Sequence, residues 1–401
     1  MRNATIVLLA LSVPVLSCSS SSESFSGHAI QVVTAGHDAC ALQMDGQVFC
    51  WGDGSVLLHS SFTKGMNATC IAPFVQVPEA TAIVGCANTG AMRVETDQRF
   101  VEISGGADGT LCGRTQQGKI YCWPVATDAP CTPTTPCGAA VDVSDGRTYT
   151  AISGANRGVV GLTKDGHAYY WSTSGTSQVL PTEEIGAGHV WKQVWGGDAF
   201  WAGVDSAGTV WEGKLPPPGI LDPGGEESPS PVSSQGVFTR ACEGMNSGQS
   251  NGCTIAQDGH VECWGGDPQG EQGDGGDANE MHFPSAPISG GGKYKDIACG
   301  AQHICAVGVT GTLECWGWDS YGQLGPAAPA TCALNELCSN VPEMVPLPQK
   351  VVSVSAGGSL TCALLADQTV WCWGANDWGQ LGNGTFAGSS MPAQVLDQPP
   401  G

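Results

Sequence analysis

The chain has 401 residues, of which 37 are acidic and 15 are basic, so its formal charge is −22. Its 58 glycines disfavour a helical bundle, because glycine costs about 1 kcal/mol in a helix interior. A hydrophobic content of 41% excludes wholesale disorder, and the negative charge disfavours nucleic-acid binding, which depends on basic side chains neutralising phosphates.

The first residues predict export. Met1-Arg2-Asn3 is a short positive head, and the apolar run 4–11 that follows is far shorter than the ~20 residues of a membrane-spanning helix. This pattern is typical of a secretory signal. Residues 15–18, Val-Leu-Ser-Cys, resemble the lipobox of bacterial lipoproteins, which implies cleavage before Cys18 and lipidation of that cysteine. The alternative is ordinary secretion with a chance cysteine at this position.

We therefore predict a signal peptide over 1–17 and a serine-rich tether over 18–28. Ser19, rather than aspartate, follows the lipid cysteine, and by the same resemblance this implies an outer-membrane location. Because the chain is strongly acidic, the lipid and not electrostatic attraction would hold it at an anionic membrane.

One hairpin pattern is repeated along the rest of the chain. Four clear copies occupy 40–52, 253–265, 305–317 and 362–374. A weaker copy occupies 112–123, and two degenerate copies occupy 160–171 and 202–213. Each copy is two alternating apolar runs joined by Asp-Gly or an equivalent, which indicates a β-hairpin. Seven units give roughly 53 residues each, close to one four-stranded propeller blade.

A single blade cannot bury both of its faces, so the repeat predicts a closed ring. We expect an all-β, seven-bladed β-propeller of four-stranded antiparallel blades, forming one domain over 29–401. The tryptophans that end six of the hairpins are the predicted repeat core: Trp51, Trp123, Trp171, Trp264, Trp316 and Trp373.

Three elements of the repeat resemble a known family. The pattern Ala-Gly-x-x-His-x-Cys-Ala-Leu, then Asp-Gly-x-Val-x-Cys-Trp-Gly, then Gly-Gln-Leu-Gly is similar to the repeat of the regulator of chromosome condensation family, with its best copies at 299–325 and 356–385. The resemblance implies a seven-bladed propeller whose last segment pairs with the first blade. We assign that closure to 392–396 against 29–34.

The family also implies activities. Its founding nuclear members exchange nucleotide on a small GTPase and bind chromatin, but an exported acidic chain meets neither partner, so nucleotide exchange is not expected. Secreted members include a β-lactamase-inhibiting binder, so the resemblance gives protein binding a precedent.

Ten cysteines form five pairs with a constant separation of ten residues: Cys40–Cys50, Cys112–Cys122, Cys253–Cys263, Cys305–Cys315 and Cys362–Cys372. A three-residue hairpin loop with a left-handed Gly46 would place Cys40 directly opposite Cys50, within disulfide range. Both cysteines of the pair are missing together in the two degenerate copies, as pairing predicts.

The remaining cysteines are paired by their positions in the chain. Cys131–Cys137 and Cys332–Cys338 would each link a loop locally. Cys242 and Cys299 precede consecutive hairpins, so a bridge between neighbouring blades is expected, and Cys70–Cys86 remains by elimination. Ten-residue spacing is not that of zinc ligands, so we expect no resident metal.

Other motifs carry little chemistry. The acidic segment 273–280 offers clustered oxygens for calcium but not the spacing of a calcium loop, and 205–211 faintly resembles an Asp-box while coinciding with a hairpin. Trp191, Trp195, Trp201 and Trp211 either form a sugar-stacking platform or refill the core where cysteines are missing. The segments 53–74, 215–236 and 326–346 are the expected recognition loops.

These observations predict a lipid-anchored envelope protein that binds a protein or a glycan, monomeric and without catalytic residues or cofactor. The alternatives are a polysaccharide hydrolase or lyase, which would need convergent carboxylates in the central channel, and a structural surface component. No partner of nucleic acid is expected, and contact with the membrane would be through the lipid anchor only.

Overall fold

The hairpin turn sets the register of its strands. In the first repeat the N–H of Gln43 donates to the carbonyl of Gln47 at 2.8 Å, and Gly46 adopts a φ of +82°. This is the predicted three-residue loop with a left-handed glycine, and it places Cys40 directly opposite Cys50. A Cβ at Gly46 would also lie 2.9 Å from the backbone nitrogen of Phe100, so the turn is pressed against the next repeat.

The computed structural model describes residues 28–52, 88–94, 96–106, 109–123, 140–155, 158–172, 183–197, 199–215, 229–232, 237–244, 251–266, 268–276, 282–326, 330–331 and 336–396. The predicted signal peptide and most of the tether, residues 1–27, lie outside this part of the chain. Across the described ranges, no helix is long and apolar enough to span a bilayer.

The strands form seven antiparallel sheets, which are the seven predicted blades. Blade one contains β1 (Ala29–Ala35), β2 (Asp38–Gln43), β3 (Val48–Gly52) and β4 (Asn88–Arg93). Blade two contains β5 (Phe100–Gly105), β6 (Leu111–Thr115), β7 (Ile120–Trp123) and β8 (Val141–Asp142). Blade three contains β9 (Tyr149–Ala155), β10 (Gly158–Thr163), β11 (Ala168–Ser172) and β12 (Glu183–Ile185).

Blade four contains β13 (Trp191–Gly196), β14 (Phe200–Asp205), β15 (Val210–Lys214) and β16 (Ser230–Pro231). Blade five contains β17 (Phe238–Glu243), β18 (Asn251–Ala256), β19 (Val261–Gly265) and β20 (His282–Pro287). Blade six contains β21 (Tyr294–Cys299), β22 (His303–Gly308), β23 (Leu313–Trp318), β24 (Ala330–Thr331) and β25 (Leu337–Val345). Blade seven contains β26 (Val351–Gly357), β27 (Leu360–Leu365), β28 (Val370–Gly374) and β29 (Ser389–Gln394). Six blades have four strands, and the sixth has a fifth strand, β24, paired with β25.

The first strand of each blade is the innermost and lines a central channel. Because the strands alternate in direction, the ring has two distinct ends. We call the end with the Asp-Gly hairpin turns and the links between blades the turn face. The opposite end carries the segments between the third and fourth strands, and we call it the loop face.

The hydrophobic core lies between blades rather than within them. Each of the seven core clusters combines side chains from two neighbouring blades, and one of them joins blade seven to blade one through Leu360, Val370, Phe49 and Trp51. A blade removed from its neighbours would therefore expose apolar surface on both faces, which explains why the repeat requires a ring.

The same backbone hydrogen bond joins all seven blade junctions. The turn residue of one hairpin accepts a bond from the first residue of the next inner strand, at 2.8–3.1 Å. The donor–acceptor pairs are Phe100–Gly46, Tyr149–Gly118, Trp191–Gly166, Phe238–Gly208, Tyr294–Gly259, Val351–Gly311 and Ala29–Gln368.

The C-terminal segment does contact blade one, where the N–H of Ala91 donates to the carbonyl of Leu396 at 3.3 Å, but the strand assigned as its partner is wrong. Residues 392–396 do not pair with 29–34, because β29 pairs with β28 inside blade seven and β1 pairs with β2 inside blade one. Each hairpin repeat already brings its own first and fourth strands, so no blade is divided between the two ends of the chain. Ala29 closes the ring through its bond to Gln368, the junction used by every other pair of blades.

Gln368 is the turn position where the repeat lacks glycine, and it keeps a φ of +68°. An L-residue in this conformation costs roughly 1–2 kcal/mol. We expect Gln368→Gly to raise the free energy of unfolding by about 1 kcal/mol, as measured by urea denaturation. Gly311→Gln, the reverse change one blade earlier, should lower it; a stabilising effect there would contradict the strain argument.

Candidate binding surface

Disulfides reinforce the hairpins and one blade junction. The structure contains Cys40–Cys50, Cys112–Cys122, Cys253–Cys263, Cys305–Cys315 and Cys362–Cys372, with Cα atoms 4.0–4.1 Å apart, together with Cys242–Cys299 between blades five and six. Cys338 is also disulfide-bonded. Cys70, Cys86, Cys131, Cys137 and Cys332 lie outside the described residues. Six disulfides are typical of an exported protein.

Each hairpin disulfide packs toward the following blade, where it meets the repeat tryptophan. All six predicted core tryptophans are at most 1% exposed. At the junction of blades six and seven, for example, Cys305 and Cys315 share a core cluster with Trp373. Burial of the tryptophan therefore depends on the neighbouring blade as well as its own.

The indole N–H groups of three of these tryptophans bond a loop of the preceding blade. Trp373 donates to the carbonyl of Gln323 at 2.9 Å, Trp316 to that of Glu271 at 2.8 Å, and Trp51 to that of Gln380 at 2.9 Å. Gln323 and Gln380 belong to the Gly-Gln-Leu-Gly segments, which lie on the loop face. The indole hydrogen bonds thus hold both Gly-Gln-Leu-Gly segments against the buried tryptophans of the next blade.

Two of these loops have the same internal structure. In blade six the carboxylate of Asp319 accepts from the N–H of Leu324 at 2.8 Å, and in blade seven the side chain of Asn376 accepts from Leu381 at 2.8 Å. Both loops also bond a glutamine side chain to the residue that precedes the first glycine, Tyr321 or Trp378. The two loops are thus pre-organised before any partner arrives.

The pre-organised loops present aromatic side chains to solvent. Tyr321 is 50% exposed and Trp378 is 45% exposed. The ring of Tyr321 rests on Trp318 with centroids 5.4 Å apart, and Trp378 lies 6.0 Å from His37 of blade one. Between the Tyr321 loop and the start of β29 is a cleft of about 340 Å³, lined by Asp319, Leu337 and Ser390 among others.

Asp319 lies at the base of this cleft and is 5% exposed. Burial raises the pKa of its carboxyl to about 6, although the hydrogen bond from Leu324 opposes the shift. Between about pH 4 and pH 6 the folded state therefore binds this proton more tightly than the unfolded chain, so stability falls as the pH rises through that window.

We expect Asp319→Asn to raise the free energy of unfolding by about 1–2 kcal/mol at pH 7.5 and to have almost no effect below pH 4. The amide can still accept from Leu324, as Asn376 accepts from Leu381. Denaturation across pH 3.5–8 measures the effect, with Asp377→Asn on the exposed part of the next loop as control. A gain of equal size at all pH values would contradict this account.

The loop face is acidic. Its carboxylates are Asp38, Glu243, Glu271 and Asp319, which are buried, and Asp274, Glu336 and Asp377, which reach solvent. Within the described residues, Lys214 is the one lysine or arginine in this half of the ring. The exposed aromatic side chains therefore lie on a face with a small excess of solvent-accessible negative charge.

Comparison with known proteins gives the same repeat. Family models described as Regulator of chromosome condensation (RCC1) repeat match residues 294–323 and 351–380, and 311–364 and 367–400. The E3 ubiquitin-protein ligase HERC2 of Homo sapiens is 29% identical over 209 residues, 51% of this chain and 4% of that protein. The Ultraviolet-B receptor UVR8 of Arabidopsis thaliana is 28% identical over 206 residues, 51% of this chain and 46% of that protein.

The chain therefore contains regulator of chromosome condensation repeats over residues 294–400. It spans less than half the length of these two relatives. Two solved structures share its fold. Prp20p of Saccharomyces cerevisiae has a TM-score of 0.65 and 15% identity, and the match covers 88% of this chain and 87% of Prp20p. Human WBSCR16 has a TM-score of 0.62 and 18% identity, and the match covers 87% of this chain and 94% of WBSCR16.

The degenerate repeats of this chain depart from the pattern in a compensated way. In blade four Gly213 takes the place of the repeat tryptophan, and Trp201 lies opposite it on the neighbouring strand. A Cβ on Gly213 would come within 2.6–2.8 Å of the Trp201 indole, so this ring fills the missing volume. Glu212 stands where a cysteine is expected, and its carboxylate accepts the indole N–H of Trp264 at 3.0 Å.

The tryptophan cluster is therefore not a flat platform. Trp191 and Trp201 are buried edge to face with centroids 5.1 Å apart, and His189 stacks on Trp191. Trp211 donates to Asp205, which is the acid of the Asp-box-like segment. The hypothesis that these rings refill volume left by cysteines is corrected for Trp201, which replaces the repeat tryptophan instead.

The channel carboxylates link blades. Glu102 lies 2.7 Å from Arg114 and bonds the backbone N–H of Ile152 in the next blade. Asp296 lies 2.7 Å from Arg240 and accepts from Val354 in the next blade at 3.3 Å. Burial raises the pKa of both carboxyls above the ordinary range. Because each is already bonded across a blade junction, these two groups give no support to a hydrolase.

The same strands are joined at a second level. Ser104, Ser153 and Ser355 accept from the backbone N–H of Gly154, Gly196 and Thr34 in the following blades, at 2.6–3.0 Å. Cys242 occupies the equivalent position in blade five and Cys299 the equivalent of those donors in blade six. The Cys242–Cys299 disulfide thus replaces a serine–backbone hydrogen bond.

The remaining sequence candidates carry no ligand chemistry in the described ranges. No group of three His, Cys, Asp or Glu side chains there is arranged to hold a metal ion. In the candidate calcium segment, Asp274 accepts the N–H of Gly276 within a turn, and 277–280 lie outside the described residues. Of the expected recognition loops, 53–74 also lies outside them.

Proposed function

We propose that this chain is a cell-envelope lipoprotein, anchored through Cys18 to the outer membrane, that binds another protein through the loop face of blades six and seven. The observation that carries the proposal is the pair of identically built loops that hold Tyr321 and Trp378 half exposed beside the Asp319 cleft. Aromatic side chains held rigidly at a surface are common anchors of protein interfaces, because little conformational entropy is lost when they are covered.

The charge of the loop face indicates the chemistry of the partner. Asp377 adjoins Trp378 in the chain, Glu336 adjoins Leu337 of the cleft, and Lys214 is the one basic side chain on the described part of this face. A surface with Lys or Arg side chains around an apolar depression would therefore be complementary. The crystal structure of Prp20p, which has the same fold, was published with the binding properties of that protein to Gsp1p and histones. Prp20p is therefore a precedent for protein recognition by this architecture.

Affinity capture from envelope extract tests the proposal. The wild-type chain should retain a protein that the double variant Tyr321→Ser/Trp378→Ser loses at least tenfold. Met344→Ser/Met391→Ser removes exposed apolar side chains from the outer edges of the same two blades and serves as the matched control. If the Tyr321→Ser/Trp378→Ser variant retains the captured protein, or if both double variants lose it equally, binding through the loop face is contradicted.

Two further measurements separate the parts of the proposal. Retention of a glycan instead of a protein would change the class of partner, and shortening of that glycan would make the chain an enzyme. Metabolic labelling with a fatty acid tests the anchor, since the label should disappear in Cys18→Ala; a label that persists would refute lipidation at this residue.

A further inference from the structure

The turn face has a chemical character opposite to that of the loop face. Around the mouth of the channel, each blade presents two exposed residues: the one immediately before the inner strand and the second residue of that strand. We call these fourteen positions the collar. Five are basic, namely Arg99, Lys192, Lys293, Lys295 and Lys350. Five are aliphatic, namely Ile30, Val101, Val190, Val237 and Val352. The other four are His28, Thr148, Thr150 and Thr239, so the collar contains no carboxylate although the chain has 37.

The collar is fixed by the blade junctions. In six junctions a Cβ built on the hairpin glycine would contact the collar residue of the next blade or the backbone beside it; at Gly259, for example, the nearest atom is the Cβ of Lys293 at 3.1 Å. In the seventh, the side chain of Gln368 bonds the ring of His28 at 2.9 Å. Because the seven junctions are equivalent, the collar residues lie at one level around the axis.

Basic and aliphatic side chains are interspersed within this ring. Blade two contributes Arg99 beside Val101, blade four Lys192 beside Val190, and blade seven Lys350 beside Val352. An anionic lipid surface matches both components, since phosphate groups attract the cations and the apolar headgroup–acyl boundary accepts the aliphatic side chains.

Carboxylates outside the collar lie close to it. Asp45, Asp258 and Asp367 belong to the hairpin turns, where each accepts a backbone N–H from two residues later. Glu102 and Asp296 line the channel one residue beyond the collar and are paired with Arg114 and Arg240. They reduce the attraction of the whole face for anions without entering the collar, so we expect weak, salt-sensitive contact.

The chain also enters the propeller at the collar. His28 is a collar residue, and the ten residues from Cys18 to His28 can span at most about 36 Å. If Cys18 carries the lipid, as proposed above, this connection keeps the collar nearer to the membrane than the loop face. This step alone rests on the proposed function.

The net charge of the chain predicts membrane contact through the lipid anchor only. Because the collar has the opposite local charge, we propose instead that it makes a second, weaker contact: the collar docks on an anionic phospholipid surface and so directs the loop face away from the membrane. The collar then orients the molecule, and the aromatic side chains of blades six and seven remain accessible to a partner.

Vesicle flotation of the unacylated Cys18→Ala chain tests docking without the anchor. At 50 mM salt the chain should float with vesicles of phosphatidylethanolamine and phosphatidylglycerol at 3:1 and not with phosphatidylcholine alone. Lys293→Gln/Lys295→Gln/Lys350→Gln should reduce partitioning at least tenfold. Lys119→Gln/Lys164→Gln/Lys214→Gln changes the net charge equally outside the collar and should reduce it less than twofold. Equal loss from the two variants, or no flotation of the parent chain, would overturn the proposal.

Hydrogen exchange on the parent chain gives an answer that does not depend on the variants' folding. Anionic vesicles should protect amides in 99–102, 293–296 and 350–353 and leave 319–325 and 376–382 unchanged. Protection of the loop segments, or protection by an acidic protein but not by vesicles, would assign the collar another role. Fatty-acid labelling and partner capture are unaffected by either result, so failure here is distinguishable from failure of the proposed function.

Discussion

Trp201→Ala lowers the free energy of unfolding by about 3–5 kcal/mol, the usual cost of removing a buried tryptophan. The ring is 2% exposed, packs edge to face on Trp191 and covers Gly213 on the neighbouring strand. Urea denaturation followed by far-UV circular dichroism measures the effect. Trp211→Ala, which removes a half-buried ring of the same blade, is the control and should cost clearly less.

The double variant Trp201→Ala/Gly213→Trp recovers part of that loss. It restores the arrangement of the other blades, where the repeat tryptophan is on the third strand and a smaller residue faces it, as Ala39 faces Trp51. A double-mutant cycle should give a favourable coupling of at least 1 kcal/mol. Additive or mutually aggravating effects would show that Trp201 does not substitute for the missing ring.

Removing the disulfide between blades five and six costs about 4 kcal/mol in the variant Cys242→Ala/Cys299→Ala. By the chain-entropy relation, a bridge spanning 57 residues constrains the unfolded chain more than a hairpin bridge spanning 10, for which about 3 kcal/mol is expected. Cys305→Ala/Cys315→Ala is the matched comparison. A larger loss from the hairpin pair would contradict this ordering.

A second variant separates the covalent link from the contact it replaces. Cys242→Ser/Cys299→Gly recreates the pair Ser104–Gly154, in which the serine accepts a backbone N–H across the junction. We expect it to be about 1 kcal/mol more stable than the double alanine variant. No difference between the two would mean that the serine position contributes nothing to the junction.

The hairpins could be predicted because their determinants are local. The spacing of Asp45-Gly46 and of the flanking cysteines fixes turn type, register and disulfide together, and the structure has all three. The partner strand of the closing segment was predicted wrongly because its identity depends on which strand begins a blade, and the hairpin pattern contains only the two middle strands. The bond from Ala29 to Gln368 joins residues 339 positions apart and leaves no local signal.

The candidate surface could be predicted only in part. The Gly-Gln-Leu-Gly segments are visible in the sequence, but nothing there shows that Gln323 and Gln380 bond inward while Tyr321 and Trp378 remain exposed. The exchange of Trp201 for the tryptophan missing at Gly213 needs the cross-strand register of a degenerate repeat. The collar needs the position of the links, which follow no motif.

A peptide map of the unreduced protein, isolated from the cells that make it, tests the disulfide-linked ring most directly. We predict the five ten-residue hairpin pairs and a Cys242–Cys299 link, found by mass spectrometry after alkylation without reductant. Free thiols at these twelve cysteines, or pairs that join other blades, would contradict the structure and the export that it implies.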